Sequence, residues 1–183
     1  IATRIFRARE KGAKLIVVDP RKTQLASYAD LYLAEKSGTD VALINGLLHI
    51  IIKEGWYDKE FVEKRTEGFD ALRASVEEYT PAQVHEITGI PEAQLRQAAE
   101  MFARAKQSSI VYCMGITQHT VGVDNVLSLA NLSMATGQIG KWASGVNPLR
   151  GQNNVQGSTD MAAIPNALPG YQSLGDDAVV AKF

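Results

Sequence analysis

The chain has 183 residues, of which 45% are hydrophobic and 21% charged, a balance that is ordinary for a globular protein with a core of its own. Its net charge of −1 gives no reason to expect nucleic acid or an acidic membrane surface as a partner, and no apolar run reaches the roughly 18 residues of a transmembrane helix. The single cysteine, Cys113, excludes an internal disulfide and any multi-cysteine metal site.

The chain alternates apolar strand patterns with helical patterns. From the N-terminus, the patterns predict the end of a helix at 1–11, strands at 15–18 and 31–33, and helices at 41–53, 58–65 and 69–78. Two helices that begin at Pro81 and Pro91 follow, then a strand at 109–114 and a helix at 123–135. From Gly140 onward regular periodicity fades. Strands that alternate with helices predict an α/β fold with a parallel sheet, interrupted by a helical insertion over 41–106.

Two helix starts carry residues that are suited to capping. Thr39 or Asp40 can cap the helix at 41–53, because both side chains offer an oxygen to the free N–H groups of the first turn. Thr80 is predicted to cap the helix that begins at Pro81, with Gln83 completing a capping box. The segment around Thr39 is therefore expected at a helix N-terminus, which is also a place where anions bind.

Polar residues follow two of the predicted strands, where ligands of open α/β sheets bind. Asp19 can hydrogen-bond a ribose or a purine, and Arg21 can meet a phosphate. After the third strand, Gly115 permits close approach of a ligand, and Gln118 can both donate and accept. Turns without any ligand also explain both segments, so the pattern alone leaves the two interpretations open.

The most informative segment runs from Gly145 to Gly157 and is predicted to be a loop. It holds three glycines, five amide side chains and one arginine, Arg150. Glycines let the backbone approach a ligand, amides donate and accept, and a guanidinium can grip a carboxylate or a phosphate with two parallel hydrogen bonds. The loop is therefore suited to a large, polar, phosphate-bearing ligand with a small anionic substrate beside it.

We assign no metal ligand to the chain. Cys113 lies within an apolar strand pattern and is predicted to be a buried, inert thiol. His49, His85 and His119 have no metal-ligand spacing to one another. His49 and His85 are expected to be structural or solvated, and His119 lies near the inferred site without an assigned role.

The loop and its surroundings resemble the molybdopterin oxidoreductases, and within them the catalytic alpha subunit of molybdenum- or tungsten-dependent formate dehydrogenases. The resemblance continues from the loop through Ser158–Met161, where many formate dehydrogenases have Ala-Cys-Asp-Met instead, to Pro169–Gln172. Further matching motifs occur in the family's order and approximate spacing at Val18–Lys22, Gly38–Asp40, Tyr57–Asp58, Arg65–Phe69, Tyr79–Pro81 and Met114–Gln118. As a set these motifs are specific, and they cover essentially the whole chain.

The resemblance implies a Rossmann-like parallel sheet with flanking helices, followed by the start of a neighbouring domain. A partial domain that binds molybdopterin guanine dinucleotide is expected at 1–151, and the start of an adjacent α/β domain at 152–183. The first strand and helix of the Rossmann-like domain are expected upstream of Ile1. We therefore expect the chain to be an internal part of a longer polypeptide and to be inactive by itself.

The resemblance also implies a cofactor and its contacts. The cofactor is bis(molybdopterin guanine dinucleotide) with molybdenum or tungsten, and both the cysteine or selenocysteine ligand of the metal and a [4Fe-4S] cluster are expected outside this chain. Arg150 is expected beside the metal, where it orients formate and stabilises negative charge. Asp40 is the candidate for guanine recognition. The other implied cofactor contacts are Asp19, Pro20, Arg21, Lys36, Gly38, Met114, Gly115, Gln118, Gly151, Gln152 and Asn153.

The implied function is oxidation of formate to carbon dioxide with release of two electrons. Two alternatives stay open: another molybdopterin oxidoreductase such as a nitrate reductase, and a non-catalytic nucleotide-binding module if the native chain is this short. The expected partners are formate, the remaining domains of the same polypeptide and electron-transfer subunits, with no nucleic acid and no membrane span. A cytoplasmic location is favoured, and a periplasmic one stays open because any signal peptide would lie upstream.

Overall fold

Helices and short strands alternate along the computed structural model, which describes residues 1–183. The helices are α1 Ala2–Glu10, α2 Asp40–Lys53, α3 Lys59–Arg65, α4 Phe69–Ser75, α5 Pro81–Thr88, α6 Glu92–Ala103, α7 Met114–Thr117, α8 Gly122–Ala135, α9 Val155–Asp160 and α10 Asp177–Val180. The strands are β1 Ile16–Val18, β2 Leu31–Leu33, β3 Ser109–Tyr112, β4 Gly145–Pro148, β5 Ala167–Leu168 and β6 Gln172–Ser173. This order confirms the predicted α/β class. None of the helices combines the length and apolar character needed to cross a lipid bilayer.

The strands form three separate two-stranded sheets rather than one continuous sheet. β1 runs parallel to β2, with Ile16 opposite Leu31 and Val18 opposite Leu33. β3 pairs with β4, and β5 pairs with β6 in an antiparallel arrangement. Because β1 and β2 are parallel, the residues that follow Val18 and Leu33 lie at the same edge of their sheet, which is the edge where ligands bind in α/β proteins.

Helix α2 lies at the centre of the hydrophobic core. Ten of its 14 residues are buried, and it packs against α5, α6 and α8. Gly46 allows α5 to approach closely, since a Cβ at this position would lie 2.6 Å from a methyl group of Val84. Burial of each Leu or Ile side chain contributes about 1.5–3 kcal/mol, so α2 accounts for a large share of the apolar stabilisation of this part of the chain.

One predicted helix cap is confirmed and another is wrong. Thr80 Oγ1 accepts a hydrogen bond from the Gln83 backbone N–H at 3.3 Å, with Pro81 in the first turn. Thr39 makes no capping bond, and its hydroxyl donates to the Lys36 carbonyl oxygen at 2.6 Å instead. The physical reason is the backbone of Thr39, whose ψ of 16° is far from the extended conformation that directs a capping side chain at the helix.

The third strand is shorter than predicted and partly exposed. β3 ends at Tyr112, Val111 is 46% exposed, and the chain continues into α7. The predicted strand at 109–114 therefore ends two residues earlier than predicted. At Cys113 the backbone (φ −149°, ψ −141°) leaves the strand, and α7 then packs against α8, a contact that the local apolar pattern does not encode.

The chain forms two compact units, Ile1–Asn147 and Pro148–Phe183. The second unit contains α9, α10 and the β5–β6 pair. Helix α9 begins after Asn154, which has a positive φ of 52° and accepts a hydrogen bond from the Gly157 N–H at 3.3 Å. The predicted loop at 145–157 is thus confined to the residues between β4 and α9. The assignment of 1–151 and 152–183 to a Rossmann-like domain and its neighbour stays a prediction.

Candidate functional site

A first group of predicted site residues lies at the carboxyl end of the β1–β2 pair. Asp19 follows β1 and is half-buried, and its Oδ1 accepts from the Arg21 backbone N–H at 2.8 Å. The hydroxyl of Tyr32 in β2 donates to the Asp19 carbonyl oxygen at 2.9 Å. These two hydrogen bonds hold the turn in place, while Pro20 and Arg21 are exposed and accessible to a ligand.

Three predicted contacts, Lys36, Gly38 and Asp40, lie between the end of β2 and the first turn of α2. Gly38 has a φ of +82°, a conformation that favours glycine. Asp40 is the first residue of α2 and is only 8% exposed, so its carboxylate lies at the positive end of the helix dipole. Lys36 Nζ donates to the Glu86 carbonyl oxygen at 3.1 Å, which directs the ammonium group toward α5. This bond uses one of the three ammonium donors, and Lys36 is exposed.

Glu35 is a functional candidate that sequence reasoning missed. It is 7% exposed, and its Oε2 is buried without a hydrogen-bond partner. Burial raises the pKa of Glu35 to about 7; its own backbone N–H opposes this shift, and the Asp40 and Asp19 carboxylates add to it. The structure therefore brings Asp19, Glu35 and Asp40 together as one group, called here the acidic cluster. Leu31 and Leu33 are buried at alternate positions of β2, and this alternation continues to Glu35 past the end of the strand. The same alternation in the sequence could have identified Glu35 as a buried residue.

The segment Met114–Gln118 forms α7 and the residue that ends it. Met114 is 53% exposed, and Gly115 and Gln118 are exposed as well. No neighbouring atom lies within 4 Å of the position that a Cβ would take at Gly115, so a ligand can approach this backbone closely. Gln118 Nε2 donates to the Met114 sulfur at 3.2 Å, a weak hydrogen bond that a ligand can displace.

Two residues of α8, also missed by sequence reasoning, hold this segment in position. Asn125 is 1% exposed, and its Nδ2 donates to the Ile116 carbonyl oxygen at 2.9 Å. Gly122 lies so close to the Thr117 carbonyl oxygen that a Cβ at this position would overlap with it. The backbone of α7 therefore depends on a buried amide and on a glycine that lie outside the predicted motif.

Cys113 is half-buried, so the prediction of a buried thiol is wrong. The reason is its place between β3 and α7, where the chain leaves the strand. His49 and His85 form hydrogen bonds through Nδ1 with the carbonyl oxygens of Val76 and Ile90, both at 2.9 Å, as structural residues do. No group of three or more His, Cys, Asp or Glu residues in the chain is arranged to hold a metal ion.

The arginine loop belongs to the second unit. Arg150, Gly151, Gln152 and Asn153 are all exposed, and none of the seven salt bridges of the chain involves Arg150. Its guanidinium is therefore free to bind an anion. The loop ends at Asn154, whose side chain caps α9 and anchors the adjacent backbone.

The chain matches a family model described as molybdopterin oxidoreductase over residues 1–179. It is 53% identical over 176 residues to the F420-dependent formate dehydrogenase subunit alpha of Methanocaldococcus jannaschii, and 50% identical over 183 residues to formate dehydrogenase H of Escherichia coli. These matches cover 96% and 100% of the chain but 26% of each relative, so the chain spans about a quarter of the length of the curated relatives it matches.

Solved structures show the same relationship. Acetylene hydratase from Pelobacter acetylenicus has a TM-score of 0.75 and 37% identity, with 77% of this chain and 19% of that chain covered. The fold, the motifs and the relatives agree with the resemblance seen in the sequence. The chain therefore belongs to the molybdopterin oxidoreductase family.

Proposed function

We propose that the polypeptide containing this chain oxidises formate to carbon dioxide with release of two electrons, or catalyses the reverse reaction. Two relatives at 53% and 50% identity are named as formate dehydrogenases, which supports formate as the substrate. The observation that carries the proposal is Arg150, an exposed guanidinium without a salt-bridge partner in a loop of glycines and amides. Its planar fork of donors matches the carboxylate of formate.

The cofactor of this proposal is bis(molybdopterin guanine dinucleotide) with molybdenum or tungsten. The residues fit such a group, because the acidic cluster offers acceptors to a base or a ribose and the open backbone at Gly115 lets a flat ligand approach. When bound, the metal and pterins would supply the electron chemistry, and a [4Fe-4S] cluster that accepts the electrons would lie elsewhere in the polypeptide. The residues that would hold the cofactor are Asp19, Pro20, Arg21, Lys36, Gly38, Asp40, Met114, Gly115, Gln118, Gly151, Gln152 and Asn153.

In this mechanism the chain itself provides orientation and charge stabilisation. Arg150 holds both oxygens of formate, which fixes the direction of its C–H bond and offsets the negative charge of the substrate. Gln152 and Asn153 supply further donors and acceptors in the same loop. Asn154 restrains the loop end through its hydrogen bond from the Gly157 N–H at 3.3 Å.

The test is the Arg150→Ala substitution in the intact polypeptide. We expect kcat/KM for formate to fall by about 100-fold or more, because a preorganised charged donor next to the reacting group is lost. Metal and pterin contents are expected to stay near those of the unmodified protein. Arg150→Lys keeps the charge but loses the two-pronged geometry, so its activity should lie between the two.

Arg7→Ala is the matched control, because Arg7 is an exposed arginine of α1 outside the proposed site. Formate turnover by Arg150→Ala at the level of this control would contradict the proposed role. A purified polypeptide that reduces nitrate but does not oxidise formate would overturn the choice of substrate and leave the family assignment intact.

A further inference from the structure

Tyr171, in the turn between β5 and β6, has a backbone conformation that tyrosine rarely adopts. Its φ is +58°, in the left-handed region that favours glycine, and Gly170 before it has a φ of +75°. The side chain of Tyr171 is 54% exposed, so burial of its ring does not account for this conformation. Strained backbone persists only where surrounding contacts enforce it, and the group of Tyr171 that makes such contacts is its hydroxyl.

The Tyr171 hydroxyl forms a closed set of hydrogen bonds with two side chains of α9. Gln156 Nε2 donates to the Tyr171 hydroxyl oxygen at 3.1 Å and to Asp160 Oδ1 at 3.0 Å. The hydroxyl in turn donates to the Asp160 carboxylate, and this bond raises the pKa of Tyr171 above its ordinary value of 10.0. The backbone N–H of Gly170 also donates to the Asp160 carbonyl oxygen, at 2.9 Å. Because the phenol is protonated at neutral pH, the turn and α9 are joined there by all of these bonds.

Helix α9 depends on these hydrogen bonds because none of its six residues is buried, so apolar packing does little to hold it. Its N-terminus is joined to the arginine loop through Asn154, whose side chain accepts a hydrogen bond from the Gly157 N–H at 3.3 Å. A Cβ at Gly157 would lie 2.5 Å from the Asn154 side-chain amide, so the loop end and the first turn of α9 fit closely. The orientation of α9 therefore sets the backbone that follows Arg150.

We propose that Tyr171 is a positioning residue for formate binding, which fixes α9 through Gln156 and Asp160 and thereby holds the arginine loop in the geometry that Arg150 needs. This inference rests on the proposed function, since it takes Arg150 as the residue that binds formate. A two-pronged contact depends on the angle between guanidinium and carboxylate, so a small displacement of the loop weakens it. Tyr171 acts through Arg150, and no bond to Tyr171 is made or broken in the reaction.

The first test is Tyr171→Phe in the intact polypeptide, which removes the hydroxyl and keeps the ring. We expect kcat/KM for formate to fall by about tenfold, with the larger share in KM, because a misaligned guanidinium binds the carboxylate less well before any chemistry occurs. Metal and pterin contents and the unfolding temperature are expected to stay near those of the unmodified protein. Amide hydrogen exchange at 154–161 should become faster, which gives a readout that does not depend on activity.

The matched control is Tyr28→Phe, the same substitution at a tyrosine of the first unit that is 45% exposed. Formate kinetics and exchange at 154–161 are expected to stay unchanged in this control.

The second test is the double variant Arg150→Ala with Tyr171→Phe. If Tyr171 acts through Arg150, its hydroxyl has nothing left to position once the guanidinium is gone, so the double variant should have the activity of Arg150→Ala alone. A further tenfold fall in the double variant would show that Tyr171 acts independently of Arg150, and this would overturn the positioning role.

The outcomes separate this inference from the proposed function. Unchanged formate kinetics in Tyr171→Phe, together with a strong loss of activity in Arg150→Ala, would overturn the role of Tyr171 and leave the proposed function standing. Loss of metal or a lower unfolding temperature in proportion to the loss of activity would show a structural role and also overturn it. Formate turnover by Arg150→Ala at the level of the unmodified protein would refute the proposed role of Arg150 and this inference together.

Discussion

At the scale of single residues, Glu35 shows how burial changes the chemistry of an ordinary side chain. An exposed glutamate is ionised at neutral pH, whereas this one is 7% exposed and has a pKa raised to about 7 by burial. Arg150 has the opposite environment, since it is exposed and free of salt bridges. The chemistry of Glu35 thus depends on the exclusion of water, whereas that of Arg150 depends on its accessibility to an anion.

The raised pKa of Glu35 predicts a pH dependence of stability with a definite sign. In the unfolded chain the carboxyl group ionises near its ordinary pKa of 4.5, whereas in the folded chain it keeps its proton up to about pH 7. The folded state therefore binds more protons in this window, and stability falls by about 2–3 kcal/mol as pH rises from 4.5 to 7. Thermal unfolding of the cofactor-free polypeptide across this range measures the effect. Glu35→Gln should remove the slope, and an identical slope in this variant would contradict the assignment.

At the scale of elements, α8 positions α7 through contacts that are absent from the motif itself. Asn125→Ala is expected to destabilise the protein by about 1 kcal/mol, because the Ile116 carbonyl oxygen loses its buried donor. The cost stays at the low end of the usual range because Asn125 Oδ1 is already unpartnered and disappears with the substitution. Hydrogen exchange of residues 113–119 should become faster.

The matched control for this prediction is Asn131→Ala, which changes the same residue type on the same helix at a partly buried position. Exchange at 113–119 should stay unchanged in the control. Equal exchange rates in Asn125→Ala and Asn131→Ala would show that the buried amide does not restrain α7.

At the scale of the whole molecule, α2 forms the centre around which α5, α6 and α8 pack. Leu48 and Ile51 of α2 are both 0% exposed. We expect Leu48→Ala to reduce the free energy of unfolding by about 2–5 kcal/mol, and Ile51→Val by about 0.5–1.5 kcal/mol, because the cavity left by each truncation scales with its volume. Chemical denaturation of the intact polypeptide, followed by hydrogen exchange in α2, measures both. A loss of less than about 1 kcal/mol in Leu48→Ala would contradict the central position of α2.

The helices of the first unit other than α7, and the parallel β1–β2 pair, could be predicted from the sequence, since both depend on short-range patterns. Apolar residues at helical spacing predicted α2, and two short apolar runs predicted β1 and β2. The cap at Thr80 was predicted for the same reason, because the bond to Gln83 lies within one helical turn. The absence of a cap at Thr39 could not be predicted in this way, because its hydroxyl donates to the carbonyl oxygen of Lys36 in the preceding turn.

The sequence by itself determined the family of this protein, the longer helices and the first three strands of its first unit, and the residues proposed to meet the cofactor and formate. Only the tertiary structure decided that Glu35 is buried beside two acids, that Asn125 holds α7, and that Cys113 is half-buried. Motifs and periodicity involve residues that are close together in the sequence, so they can be identified from the sequence directly. Burial of a polar group depends on which distant segments pack around it, and that is settled only when the whole chain has folded.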